Sequence, residues 1–372
     1  MSSVPDAIRP TWAEVDLAAF ERNVAAVASQ LPAGSRLVAV LKANAYGHGA
    51  VALAKPLRSE QVAMIATALL EESLELRRAG ITLPLLVLGP LTEAQVPMAL
   101  DAEITIGVPG NEVLERICRA GRDAAVHLKL DSGMGRMGIT ADELARTIEL
   151  LRAHPRVHVA AIYSHFASAG DPHDPITDQQ RARFTEMLAT LREERIEAPL
   201  HHFANSAATM RKIIEPGHLV RVGLSLYGAE PLDEGESRLE PVMRWRTEIA
   251  RLKDLPAGHA IGYGATFHTE RPSRIATLPV GYADGYDRRF SNRGTVLVRG
   301  KRAPVVGRVS MDLVTIDVTD IPDATVGDEV ILLGRQGDDE LSAEELAAKL
   351  GTISYEVLCN VSARVPRVYL HE

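Results

Sequence analysis

Eight short apolar segments alternate with helical patterns between residue 37 and about residue 228, and this alternation limits the fold more than any other feature of the chain. Strands that are separated by helices run parallel, because each helix returns the chain to the edge where the next strand begins. Eight strand–helix units predict a TIM-type (β/α)8 barrel, and the count of eight favours a barrel over an open, doubly wound sheet. The segments are residues 37–41, 62–66, 85–89, 103–107, 126–130, 157–163, 200–204 and 219–223.

Two of the helical patterns carry start and stop signals. Residues 69–80 have apolar side chains at helical spacing and end at Gly80, as a helix C-terminus often does. Residues 140–153 open with Thr140 and Glu143, the spacing of a capping box, and predict a second helix.

The pattern changes beyond about residue 238. Short β-rich segments follow one another there with few helical stretches between them, apart from one helix that is predicted from Ser342 to Leu350. We therefore expect a second, mostly antiparallel β domain. The acidic stretch 230–241, which contains Pro and Gly, is the expected linker, so the predicted domains are residues 1–238 and 239–372.

Composition excludes several classes of function. The net charge of −8 argues against nucleic acid or an anionic membrane as a partner. No apolar run reaches the ~20 residues that a membrane helix needs, and the first residues lack the apolar core of a secretory signal. Two cysteines are too few for a disulfide scaffold or a Cys-based zinc cluster. We expect a cytoplasmic protein.

Polar and small residues follow one predicted strand after another. In an α/β barrel, the active site lies at the carboxyl ends of the strands, and phosphate often binds after strands seven and eight. We therefore expect these residues to form the site: Lys42, Tyr46 and His48 after the first strand, residues 131–136 after the fifth, Tyr163 and His165 at the sixth, Asn205 and Ser206 after the seventh, and Arg221 and Gly223 in the eighth.

Each of these residues also has a structural interpretation. Lys42 is either a solvated strand end or a lysine whose pKa is lowered enough to form a Schiff base. Asn205 and Ser206 are either a plain helix N-cap or part of a phosphate site. Arg221 and Lys129 lie within apolar strands, where a buried cation needs an acceptor or must lose its charge.

One motif resembles a nucleotide-binding fingerprint. Residues 133–138 match G-x-G-x-x-G, but the next strand, 157–163, lacks the acidic residue that this fingerprint requires. We therefore expect no NAD site. The histidines are isolated and no metal-binding spacing is present, so we expect no metal site either.

With these residues assembled, the sequence resembles the alanine racemases, which are pyridoxal phosphate (PLP) enzymes with an N-terminal barrel and a C-terminal β domain. The segment LKANAYGHG (41–49) is similar to the cofactor-lysine signature of that family. The resemblance covers nearly the whole chain. It also rests on LKLDSGMGRMG (128–138), YSHFASA (163–169), NSAA (205–208), RVGLSLYG (221–228), IGYGATF (261–267), LPVGYADGY (278–286), GRVSMD (307–312) and ISYEVLC (353–359).

The resemblance implies a role for each matching residue. Lys42 would hold PLP as a Schiff base and act as the base toward D-alanine, and Tyr263 would be the base toward L-alanine from the opposite face. The phosphate would be held by Tyr46, Ser206 with its neighbour Asn205, the backbone of Gly223 and Leu224, and Tyr355. Arg221 would bond the pyridine nitrogen, and His165 would connect Arg221 to Tyr263.

The remaining implied roles concern the substrate and the assembly. Arg136 and the backbone of Met311 would bind the substrate carboxylate. Lys129 matches the carboxylated lysine of the family, which pairs with Arg136. Members of the family are homodimers in which Tyr263 and Met311 would reach the barrel of the partner.

Other functions stay open at this point. A PLP amino-acid decarboxylase of the same architecture would use an acidic residue at the pyridine nitrogen and a Gly-rich phosphate loop, and Arg221 and the Asn205–Ser206 pair argue against it. A non-catalytic PLP-binding barrel would lack the second domain. Among racemases, serine or broader substrates remain alternatives to alanine, and a supply of D-alanine for peptidoglycan is implied by the resemblance alone.

Overall fold

The computed structural model describes residues 9–232 and 239–371. Part of the expected linker, residues 233–238, lies outside the described residues, and the rest of residues 230–241 connects the two sets of strands.

The eight predicted segments form the eight strands of a closed parallel barrel, so that prediction is confirmed. A first strand, β1 (Trp12–Asp16), precedes them and does not belong to the barrel. The barrel strands are β2 (Arg36–Val40), β3 (Val62–Thr67), β4 (Leu85–Val87), β5 (Ile104–Val108), β6 (Ala124–Lys129), β7 (Val157–Tyr163), β8 (Leu200–His202) and β9 (Leu219–Val222). The closing pair is β9 with β2, in which Leu37 lies opposite Val220.

Helices connect the barrel strands and cover the outside of the barrel. They are α1 (Leu17–Ser29), α2 (Lys42–Tyr46), α3 (Ala50–Ala54), α4 (Leu70–Arg78), α5 (Gln95–Asp101), α6 (Asn111–Ala120), α7 (Leu144–Ala153), α8 (Ile176–Glu193) and α9 (Ser206–Met210). The helix predicted over 69–80 is α4, and Gly80 follows it at φ +83°. The capping box at Thr140 is present as a 3-10 turn that leads into α7, with the Glu143 carboxylate accepting from the Thr140 N–H.

The second set of strands pairs antiparallel, as predicted, with one exception. The strands are β10 (Met243–Glu248), β11 (Arg251–Leu255), β12 (Ala260–Ile261), β13 (Phe267–His268), β14 (Ser273–Leu278), β15 (Thr295–Val298), β16 (Lys301–Pro304), β17 (Val314–Asp317), β18 (Glu329–Gln336), β19 (Asp339–Leu341) and β20 (Arg367–Leu370). The main sheet has the order β16-β15-β18-β10-β1-β20, with β19 beside β18, and two smaller sheets are β11-β14-β17 and β12-β13. In these three sheets, β1 and β20 are the one parallel pair among the described strands.

Two helices accompany these strands. The predicted helix is α10 (Ala343–Leu350), where the Ser342 hydroxyl accepts from the Glu345 N–H and Gly351 follows in the left-handed conformation. The second helix, α11 (Ser354–Asn360), was not predicted. It packs against the segment that carries Lys42.

The N-terminal strand joins the two halves of the molecule. β1 pairs with β10 on one side and with β20 on the other, so residues 12–16 lie in the sheet of the second half although they precede the barrel. Each half has its own apolar core, one inside and around the barrel and one among the antiparallel strands. In the part of the chain that the structure describes, no helix is long and apolar enough to cross a membrane.

Candidate active site

A cavity of about 280 Å³ opens at the carboxyl ends of the barrel strands. It collects most of the predicted site residues, which come from positions far apart in the sequence. The predicted residues that line it are Lys42, Tyr46, Lys129, Arg136, His165, Asn205, Ser206, Arg221, Gly223 and Tyr355.

The segment after β2 holds Lys42 in an unusual backbone conformation. Residues 43–46 all have φ between 52° and 53°, although none of them is glycine. Such left-handed residues cost ~1–2 kcal/mol each, so the surroundings must hold them in place. The Glu72 carboxylate accepts from the Ala43 N–H at 2.6 Å, and the Asn44 side chain accepts from the Ala50 N–H at 2.8 Å.

The Lys42 amine lies partly buried among cations. Burial lowers the pKa of Lys42, and the nearby Arg136 guanidinium lowers it further, while Cys359 and Glu72 act in the opposite direction. A larger fraction of the amine is therefore neutral near pH 7 than for a free lysine, and only the neutral amine is a nucleophile or a base.

Arg221 is buried on β9, and its terminal nitrogens bond to neutral acceptors only. Nη1 donates to His202 Nδ1 at 2.7 Å and to the His202 carbonyl at 2.9 Å. Nη2 donates to the Ser164 carbonyl at 2.7 Å and to His165 Nδ1 at 3.0 Å. Burial lowers the pKa of Arg221 to about 10, so the guanidinium stays charged at neutral pH. Among the described residues, its Nε has no hydrogen-bond partner, which leaves one donor for a ligand.

His165 is held as a neutral imidazole. Burial lowers its pKa well below the usual range, and the charges of Arg221 and Arg136 lower it further. Because Arg221 can only donate, His165 Nδ1 must accept, and the imidazole proton is therefore assigned to Nε2. His165 can thus pass a hydrogen bond onward from Arg221, as the resemblance implies.

The end of the cavity that is lined by Ser206, Gly223 and Tyr46 allows a ligand to approach closely. The Ser206 hydroxyl accepts from the Gly223 N–H at 3.1 Å. A Cβ atom added at Gly223 would lie 2.4 Å from the Tyr46 hydroxyl, so only glycine fits beside that ring. The rings of Tyr46 and Tyr355 lie 5.8 Å apart, which brings a hydroxyl from each half of the molecule to the same end.

Two further residues of the predicted phosphate site, Asn205 and Leu224, take part in local secondary structure. The Asn205 side chain caps α9 by accepting from the Ala208 N–H at 3.0 Å, so the plain capping interpretation holds, and Asn205 also lines the cavity. Leu224 is buried and begins a 3-10 turn, Leu224–Tyr227, directly after Gly223. The first N–H groups of such a turn have no acceptor inside the turn.

Lys129 points into the cavity rather than onto a helix. Burial, together with the charges of the neighbouring Arg136 and Arg221, lowers the pKa of Lys129 to about 8. Among the described residues that line the cavity there is no Asp or Glu. The cavity is therefore strongly positive, and a carboxylated Lys129 would supply the anion that it lacks.

Tyr263 and Met311 lie away from this cavity in their own chain. Tyr263 is in a 3-10 turn and is 74% exposed, and Met311 is 53% exposed. Neither of these two predicted residues lines the cavity of its own chain.

The glycine-rich segment 133–138 has no free backbone donors at its start. The Asp131 carboxylate accepts from the N–H groups of Gly133, Met134 and Gly135. A dinucleotide phosphate would need those donors, so the segment serves to shape the loop that presents Arg136.

The sequence interpretation missed two buried residues beneath the cavity, His202 and His127, whereas Tyr163 was expected at the end of the sixth strand. The Tyr163 ring stacks on His202 at 4.5 Å and lies under the Arg221 guanidinium, and Tyr163 also lines the cavity. His127 bonds to His202 at 2.9 Å. Alternation along β6 contained the signal, because His127 lies two residues before Lys129 and therefore points to the same side of the strand.

The residues present fit PLP. The cavity offers an amine with a lowered pKa, four cationic side chains without a carboxylate, and a glycine-lined end with hydroxyl groups. An aldehyde that carries a phosphate matches this combination of an amine and an anion site.

Two family descriptions match this chain and together cover most of it. The model for "Alanine racemase, N-terminal domain" matches residues 15–231, and the model for "Alanine racemase, C-terminal domain" matches residues 242–369.

Curated relatives match over their full lengths. A protein of Halothermothrix orenii that is named alanine racemase is 41% identical over 367 residues, which cover 97% of each chain. A protein of Symbiobacterium thermophilum with the same name is 42% identical over 370 residues, which cover 98% of each chain.

Solved structures share the fold. Alanine racemase from Bacillus anthracis with bound L-Ala-P superposes with a TM-score of 0.92 at 38% identity, covering 98% of this chain and 96% of that one. Alanine racemase from E. faecalis gives a TM-score of 0.91 at 37% identity, covering 99% and 100%.

Proposed function

The chain belongs to the alanine racemase family, and from this premise we propose that its interconversion of L-alanine and D-alanine uses PLP and two bases from two subunits, Lys42 and Tyr263. One observation carries the proposal. Lys42 lies in the cavity at the barrel mouth, whereas Tyr263 is 74% exposed outside it. A site with a base on each face therefore needs a second copy of the chain.

PLP, when bound, supplies an electron sink for the electron pair that the α-proton leaves behind. Racemisation also needs a group that removes this proton from one face and a group that returns one on the other face. Lys42 is the base toward D-alanine, as the resemblance implies. Burial and Arg136 lower the pKa of its amine, which supports a basic role near neutral pH.

Tyr263 is the base for L-alanine in the site of the partner subunit. In that site, Tyr263 would bond to His165 of the partner subunit. The neutral state of His165 supports this role, because its Nε2–H can donate to the oxygen of an incoming phenolate. The second domain, residues 239–372, would thus complete the active site of the other protomer as a homodimer.

The other predicted residues bind and orient. Tyr46, Ser206, the backbone of Gly223 and Leu224, and Tyr355 hold the phosphate, and Asn205 caps α9. Arg221 would offer its unpartnered Nε–H to the ring nitrogen. Because arginine does not give up its proton, a ring nitrogen held there would stay unprotonated, which would favour return of the proton to the α-carbon.

Arg136 and the backbone of the partner's Met311 bind the substrate carboxylate. A carbamate on Lys129 orients Arg136, since the cavity lining offers no other anion among the described residues.

Alanine is the substrate that the relatives support, and neither a decarboxylase nor a racemase of serine or broader range is favoured by them. We further propose that the enzyme works in the cytoplasm and supplies D-alanine for peptidoglycan. The acidic charge and the two unpaired cysteines suit that compartment.

The test is solvent deuterium exchange in Tyr263→Phe. The variant keeps the Lys42 face, so the α-hydrogen of D-alanine should still exchange with retention while exchange from L-alanine nearly vanishes. Racemisation in both directions should fall together by about 10²–10⁴-fold.

The two enantiomers serve as controls for each other in one protein sample. Equal loss of exchange from both would overturn the assignment of faces. Borohydride reduction of the wild-type enzyme should place the pyridoxyl group on the peptide that contains Lys42, and a label elsewhere would overturn the role of Lys42.

A further inference from the structure

Three buried side chains on three barrel strands form a continuous hydrogen-bonded row. His127 Nδ1 on β6 lies 2.9 Å from His202 Nε2 on β8, and His202 Nδ1 lies 2.7 Å from Arg221 Nη1 on β9. All three side chains are buried in the barrel interior.

The hydrogen bonds of this row all run in one direction, from Arg221 through His202 to His127. A guanidinium only donates, so His202 Nδ1 accepts and its proton lies on Nε2. His202 Nε2–H then donates to His127 Nδ1, and the proton of His127 lies on its own Nε2. Both imidazoles are neutral, because burial and the Arg221 charge oppose a second proton on either ring.

Packing fixes the plane of the middle residue. The Tyr163 ring stacks on the His202 ring with an angle of 5° between them. The Arg221 Cζ lies 5.2 Å from the centre of the Tyr163 ring. His202 is therefore held in plane by Tyr163, its tautomer is set by Arg221, and His127 accepts from its Nε2–H. The acceptors of Arg221 are neutral throughout, so no carboxylate offsets its charge.

We propose that His127 is a positioning residue for racemisation: through His202 it fixes Arg221 so that Nε–H faces the ring nitrogen of PLP. This inference rests on the proposed function, because it assigns a purpose to the orientation of Arg221. His127 does not line the cavity, so it is not assigned a catalytic role.

The test compares His127→Leu with His127→Asn in the holoenzyme. Leucine removes the acceptor from His202 Nε2–H, whereas asparagine places an oxygen where Nδ1 was. We expect kcat to fall roughly tenfold in His127→Leu, with KM for alanine unchanged and the visible absorption band of the bound cofactor shifted, and we expect His127→Asn to restore both readouts.

An equal loss in both variants, or a loss in KM alone, would overturn the proposal. If the His127→Leu protein does not fold, two measurements still test the proposal. The His127→Asn variant must retain the wild-type absorption band. In the wild-type holoenzyme, ¹⁵N NMR must show His127 and His202 as neutral Nε2–H tautomers. A proton on His202 Nδ1 would contradict the row whatever the activity is. A pyridoxyl label away from Lys42 would instead refute the proposed function and leave the tautomers standing.

Discussion

At the scale of single residues, the cavity depends on charges that its own lining does not balance. Lys42, Lys129, Arg136 and Arg221 are all cations, and the described lining contains no carboxylate. Three of these groups have lowered pKa values: the pKa of Lys42 is lowered, that of Lys129 is lowered to about 8 and that of Arg221 to about 10.

Lys129 should carry a carbamate whose loss weakens substrate binding. Lys129→Ala should raise KM for alanine about tenfold, because Arg136 loses an ionic hydrogen-bond partner. Lys129→Arg keeps a cation and should resemble the alanine variant, whereas Lys129→Glu restores an anion and should bind alanine better than either. Steady-state kinetics of the three variants would measure this, and near-normal KM in Lys129→Arg would contradict it.

The same carbamate predicts a pH dependence. Carbon dioxide reacts with the neutral amine, whose fraction grows as pH rises through about 8. ¹³C-bicarbonate should therefore label the protein above neutral pH and the label should be lost at acid pH, with KM for alanine rising as it disappears. A fully active enzyme that never incorporates the label would remove the carbamate from the account.

Sequence reasoning reached most of these residues and missed others for a physical reason. Lys42, Arg136 and Arg221 stand out because charge in or after an apolar strand demands an explanation. His127 and His202 look like ordinary interior residues in a linear sequence. Their importance comes from contacts across the barrel, between strands that are distant in the chain.

At the scale of secondary structure elements, the last strand supports the segment that carries Lys42. Arg367 on β20 donates to the Gly47 carbonyl at 2.8 Å and to the carbonyls of Val361, Ser362 and Val365. A Cβ atom at Gly47 would lie 2.7 Å from the Leu358 carbonyl of α11, so the segment and the helix are in close contact. The left-handed residues 43–46 are thus held from the opposite end of the chain.

Arg367→Gln should therefore reduce activity by more than its loss of stability alone would explain. The chain offers a matched control: Arg77 also donates to four backbone carbonyls, at Ile81, Leu83, Ala102 and Glu103, on the outside of the barrel. Both glutamine variants should lose about 2 kcal/mol of stability. Only Arg367→Gln should lose kcat and release the cofactor more easily.

Thermal unfolding and kcat measured on the two variants would decide this point. Equal kcat in both would show that Arg367 is a structural residue only. The need for this support was not visible in the sequence. The left-handed conformation of alanine residues follows no local propensity, and Arg367 is separated from Gly47 by most of the chain.

At the scale of the whole molecule, the barrel was predicted from strand count and the second domain from its change of pattern. The pairing of β1 with β10 and β20 was not predicted, because five residues give no sign of which distant strands they will join. Tyr263 and Met311 were assigned through the resemblance. The structure leaves both side chains exposed.

The central claim is that each active site takes Lys42 from one subunit and Tyr263 from the other. Its most direct measurement is the racemase activity of isolated heterodimers made from Lys42→Ala and Tyr263→Phe subunits, each of which is nearly inactive alone. A shared site places both lesions in one site and leaves the other intact, so the heterodimer should regain the activity of one wild-type site. If both bases came from one chain, every site would keep a lesion, and heterodimers without activity would contradict the account.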